Sequence, residues 1–112
     1  MPIPKPRFTV FVLVRAMPAW LSLSRPARED IATAAYAEAL GQGTVTVRHF
    51  DAEAFTACCS DIVVFGTEDL VAFHCVMERL RDSALFSVPY FEVVRIIPAI
   101  EDGYRHFERM AA

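Results

Sequence analysis

His49 and Asp51 stand two apart in the stretch TVTVRHFD. Side chains alternate along an extended strand, so the pair projects from one face, separated by roughly 7 Å at the usual strand rise. An imidazole that titrates near neutrality, beside a carboxylate that can orient it, is a minimal proton-transfer unit. His74, on the flank of a helix beside Phe73, would extend the set to an acid–base triad or a partial metal site. In an enzyme of this kind His49 is the acid/base, Asp51 its orienting partner and His74 a substrate contact. The plainer reading makes His49 a satisfied strand-end histidine, Asp51 the cap of the following turn and His74 a half-exposed helix residue. It is favoured because so short a pattern recurs by chance.

A second group is cationic. Arg15, Arg48, Asp61 and Arg95 are the polar members of strands whose neighbours are apolar, and buried charges must be paired. They are expected to find one another or Glu92. The functional version is a pocket for an acidic or enolic ligand, with Arg48, Phe50, Arg95 and Tyr90 as contacts. The bland version, which ion-pair networks in general favour, is a set of salt bridges that fixes the register of a subunit interface.

Other chemistry is poorly supported. Cys58 and Cys59 are adjacent, with no helix N-terminus or base evident to activate either, so a buried, inert pair is expected. Cys75 falls inside a helix. No CxxC, paired zinc spacing, glycine-rich phosphate loop, nucleophile elbow or HExxH occurs, so no cofactor and no metal is expected. Trp20, Tyr36, Tyr90 and the phenylalanines could line an aromatic cavity, although such residues are usually plain core.

Composition limits the class. The 112 residues suit one domain (1–112). Apolar residues make up 54%, nine of them Phe, enough to build a core. A formal charge of -3 gives no electrostatic reason for a nucleic acid or anionic membrane partner. No apolar run approaches the ~20 residues of a membrane helix. The opening MPIPKPRF lacks the apolar stretch of a signal peptide and reads as an extended lead-in over residues 1–7. A cytoplasmic location is the default expectation.

The elements follow from periodicity. FTVFVLVR (8–15) is a central strand, apolar on both faces. PAWLSL (18–23) connects it to a helix capped by Ser24, with Pro26 in its first turn and Gly41 or Gly43 beyond Leu40. That helix should turn Ala27, Ile31, Ala34, Ala35 and Leu40 inward. TVTVRHFD (44–51) and DIVVFG (61–66) form a hairpin with a loose tip. Thr67 then caps a helix whose core stripe is Leu70, Phe73, Met77, Leu80 and Ala84. The last strand runs from Tyr90 to Ile97 and stops at Pro98, and residues 99–112 are a tail or short helix.

The order βαββαβ with right-handed crossovers is the ferredoxin-like fold, an α+β domain with a four-stranded antiparallel sheet and two helices on one face. The other face is expected to display Phe11, Leu13, Phe50, Val63 and Phe65. Burying each is worth ~1.5–3 kcal/mol, and such a patch rarely stays in water. A second copy packed sheet to sheet about a two-fold axis is the simplest cover; the tail folded back from Ala99 to Ala112 is the other.

The stretches F-x-V-F-V-L-V, P-A-W-L-S-L-S-R (18–25), R-H-F-D-A-E-A-F (48–55), C-S-D-I-V-V-F (59–65) and P-Y-F-E-V-V-R-I-I-P-A-I-E-D-G-Y (89–104) resemble the darcynin family along almost the whole chain. The resemblance implies a relative of the dimeric α/β barrel group and carries no catalytic residues. Two main readings remain. One is a homodimeric small-molecule-binding protein. The other, from fold analogy alone, is a cofactor-independent monooxygenase or isomerase acting on a small aromatic or enolic compound. A protein-interaction scaffold is the third.

Overall fold

The structure is a computed structural model that describes residues 5–112; the first four residues of the expected lead-in lie outside it. Its elements are β1 (Phe8–Ala16), α1 (Pro18–Leu21), α2 (Arg25–Leu40), β2 (Thr46–Asp51), β3 (Asp61–Thr67), α3 (Leu70–Asp82), α4 (Ala84–Ser87), β4 (Phe91–Ile100) and α5 (Gly103–Ala111). The strands form one sheet in the order β2-β3-β1-β4, with every neighbouring pair antiparallel. This is the expected ferredoxin-like arrangement, with short helices added at both connections.

Helix α2 begins where the side chain of Ser24 accepts the Ala27 N–H and ends at Gly41, whose φ of 54° lies in the region glycine tolerates best. Its buried positions are Ala35 and Ala39. Ala34, expected inward from the sequence, is exposed. Helix α3 starts two residues later than expected. Asp69, not Thr67, is its N-cap, and the Thr67 hydroxyl instead accepts the Asp69 N–H at the strand end. It buries Val76, Met77 and Leu80, while Leu70 is 38% exposed and Ala84 opens the separate turn α4.

Strand β4 runs through Pro98 to Ile100 rather than stopping before it. An edge strand tolerates proline because one side of its backbone has no ladder to complete, and Pro98 pairs with Val10 on the inner side. A register shift between Leu13 and Val14 marks a bulge in this pairing.

The core lies between the sheet and helices α2, α3 and α4, built on Val10, Val12, Val14, Val63, Phe65, Val76, Met77 and Leu80. Two of these correct the sequence reading. Val63 and Phe65 pair with Val12 and Val10 and therefore face the helices. Ile62 and Val64, opposite Leu13 and Phe11, are the β3 residues on the other face. Both faces of β3 are apolar, so alternation alone could not tell them apart.

That other face is open. Phe11, Phe50 and Ile97 remain 37%, 42% and 44% exposed. The tail does not cover it. Among the described residues α5 buries none of its own, and Tyr104, Phe107 and Met110 are 58%, 70% and 62% exposed. The folded-back tail expected as an alternative cover is therefore not what this chain forms.

Candidate functional site

Two places collect the chemistry-bearing side chains. The first sits on the helix side of the sheet, at its β2 edge. Pairing of β2 with β3 sets Asp51 opposite Asp61 and His49 opposite Val63. Alternation then turns His49, Asp51 and Asp61 to one face. The His49 Nε2 lies 3.2 Å from Asp61 Oδ1, and its Nδ1 lies 4.0 Å from Asp51 Oδ1. Asp61 is buried; His49 and Asp51 are exposed.

The loop between the strands completes the anchoring. Ser60 Oγ donates to Asp61 Oδ2 at 2.6 Å and accepts the Ala16 N–H at 2.7 Å. Both oxygens of Asp61 are thereby engaged.

The electrostatics follow from these contacts. The hydrogen bond to Asp61 raises the His49 pKa, outweighing burial, which lowers it. Burial pushes the Asp61 carboxyl up, but hydrogen bonds from His49, Ser60 and Asp51 together hold it below its ordinary value. Asp51 is raised, first by its hydrogen bond with Asp61.

His74 does not join this group. It lies on the exposed side of α3, whose buried side carries Val76, Met77 and Leu80. Asp61, which the sequence marks only as a charge needing a partner, takes its place.

Beyond these residues is a small apolar cavity of about 60 Å³ between sheet and helices, lined by Val14, Trp20, Ala32, Tyr36, Val63, Leu85, Phe86 and Phe91. The expected aromatic lining is present, and Trp20 packs against Tyr90 and Phe91 at centroid distances of 5.4 and 4.8 Å. Burial, with the Asp61 charge adding to it, pushes the Tyr36 phenol up to about 12. A spectrophotometric alkaline titration should therefore contain a phenol ionising near 12, against about 10 for a solvated tyrosine. Tyr36→Phe should remove that component. Since the folded state holds this proton more tightly, its contribution to stability is complete below about pH 10 and is lost as pH climbs toward 12. A wild-type titration complete by about pH 11 would contradict the buried placement.

The second place is the open face. Cross-strand pairing aligns Phe50, Ile62, Leu13 and Arg95 in one row, and Arg48, Val64, Phe11 and Ile97 in the next. The Arg48 guanidinium lies over the Phe50 ring at 5.0 Å. Arg48 and Arg95 thus occupy opposite edges of an apolar floor, in neighbouring rows and separated by roughly 14 Å across the strands at ~4.8 Å per strand. Tyr90 is not part of this floor; it stacks on Trp20 at the end of the core. Of the expected ion pairs, Arg15 meets Glu92 at 2.7 Å.

The cysteines differ from expectation. Cys59 is buried but Cys58 is exposed, their sulfurs 3.7 Å apart. Hydrogen bonds to Thr56 and Cys59, opposed by burial and helped by Arg15, lower the Cys58 pKa. Cys59 is raised, chiefly by burial. The activating contacts come from a loop conformation that no sequence motif announces.

The sheet order and the helices on one side define a ferredoxin-like α+β domain. The chain belongs to the darcynin family: the family model described as "Darcynin, domain of unknown function" matches residues 1–112. A relative named Darcynin from Chromobacterium violaceum is 53% identical over 68 residues, spanning 61% of this chain and 86% of that protein.

Among solved structures, a putative chlorite dismutase superposes with a TM-score of 0.75 at 17% identity, over 95% of this chain and 50% of its own. A haem-binding protein from Thermus thermophilus gives 0.75 at 18%, over 98% of this chain and 46% of its own. This chain therefore spans about half the length of these neighbours, and at such identities the likeness concerns the fold. Among the described residues no helix is long and apolar enough to cross a membrane.

Proposed function

We propose that this protein is a homodimer, closed through the open sheet face, that binds a small aromatic or enolic acid between the two sheets. The observation that carries the reading is the exposed apolar floor of Phe11, Phe50 and Ile97 with Ile62, Val64 and Leu13 between them. A two-fold axis lets one such surface cover an identical one, and two-fold dimers are the commonest homo-oligomers. The length relation supports it: the solved neighbours are about twice as long, so a second copy supplies a comparable unit.

The ligand chemistry comes from the edges. A guanidinium binds a carboxylate or enolate through two parallel hydrogen bonds, while Phe50, Leu13 and Ile62 offer apolar area for a ring. The sheet–helix cavity is the poorer candidate. Its volume of about 60 Å³ compares with ~300 Å³ or more for typical small-molecule pockets. It also fails the haem that one neighbour's description names, being too small for a porphyrin and lined by neither histidine nor cysteine.

Calorimetric titration against a panel of aromatic acids should find a ligand. Arg48→Ala and Arg95→Ala should each weaken it roughly ten- to a hundredfold, as expected for a lost charge-assisted hydrogen bond of about 1.5–3 kcal/mol. Affinity unchanged in the double variant would place the ligand elsewhere.

A further inference from the structure

We infer that His49, Asp51 and Asp61 form a binding site for a divalent first-row transition ion such as Mn²⁺, on the helix side of the β2 edge and separate from the sheet-to-sheet ligand site. The three side chains each offer one donor atom, and those atoms lie within 4.8 Å of one another. One imidazole nitrogen and two carboxylate oxygens make a donor set suited to such ions. Ligand bonds of ~2.0–2.2 Å place donors on one ion about 3 to 4 Å apart, so only a small adjustment of side chains is required.

Three further features distinguish this group from a solvated cluster. Asp61 is 8% exposed, so the central carboxylate is held in place rather than free in water. Its Oδ2 is fixed by Ser60 at 2.6 Å, the kind of outer hydrogen bond that orients a metal-binding carboxylate. One oxygen of Asp51 and one of Asp61 also lie within 4.8 Å of each other, a spacing that suits a cation between the two carboxylates. A divalent ion supplies the charge directly and replaces the His49–Asp61 contact with two bonds to itself. Because His49 and Asp51 are exposed, the remaining coordination positions face solvent, and an ion here could take water or a small anionic ligand. The fourth anchor, the β2–β3 pairing itself, sets the spacing without any loop rearrangement.

The probe is Mn²⁺ alone, titrated into the full chain and followed by loss of its free-ion electron paramagnetic resonance signal. Manganese favours oxygen and nitrogen donors over thiolates, which keeps Cys58 and Cys59 out of the readout. One ion per chain is expected. His49→Ala and Asp51→Asn, both exposed and therefore compatible with folding, should each weaken binding roughly 10- to 100-fold or more, and Ser60→Ala by about tenfold through the orientation of Asp61. Circular dichroism of each variant checks that the fold persists. No saturable binding in the wild type, or Asp51→Asn and His49→Ala binding as tightly as the wild type, would overturn the inference.

Discussion

Phe11→Asp should leave a folded chain that no longer pairs with itself. Phe11 lies on the central strand β1, between Val64 and Ile97 in the same cross-strand row. It is 37% exposed, so the substitution removes little from the chain's own core. In a sheet-to-sheet dimer the same position is covered. A carboxylate there is desolvated two strands away from Arg48, beyond direct pairing within its own chain, and a buried charge without a direct partner costs several kcal/mol. The two-fold axis applies that cost twice. Far-UV circular dichroism should be preserved while gel filtration with light scattering shows the single-chain mass. A Phe11→Asp protein that still assembles would place the interface on another surface.

Phe65→Ala should do the reverse. Phe65 is 1% exposed and meets Phe73 edge to face at 5.3 Å, beside Val10 and Val12 on β1. Removing a fully buried phenylalanine forfeits its transfer energy and leaves a cavity, a combined loss of about 3–5 kcal/mol. For a domain of this size, that is a fall in melting temperature on the order of 10 °C or more. Urea unfolding should show a lower midpoint at unchanged slope. A loss below about 1 kcal/mol would mean the helices repack over the gap, as permissive sites do. The two phenylalanines differ in which side of the sheet they occupy, so their variants separate the fold from the assembly.

That separation is the least legible part of the sequence. The strands themselves can be read, because FTVFVLVR and DIVVFG are dense in β-branched and aromatic residues, and the βαββαβ order follows from them. Which residues of β3 face the helices cannot be read. Ile62, Val63, Val64 and Phe65 are all apolar, so no polar position marks the outer side. The face is decided by register, Val63 against Val12 and Phe65 against Val10.

The candidate site shows the same division. His49 and Asp51 announce themselves by their spacing on one strand. Asp61 joins them only through the pairing of β2 with β3 across the 52–60 loop, a non-local fact. His74 has the right chemistry but sits on the exposed side of α3. Pro98 reads as a stop in the sequence, although an edge position lets β4 continue through it. In each case the local signal is sound and the long-range neighbour is missing.

The dimer through the open sheet face is the central claim, and the mass of the wild-type chain in solution tests it most directly. Light scattering after gel filtration at micromolar concentration should report about twice the 12.6 kDa of one chain. A clean, concentration-independent mass of 12.6 kDa would contradict it, leaving Phe11, Val64 and Ile97 in water.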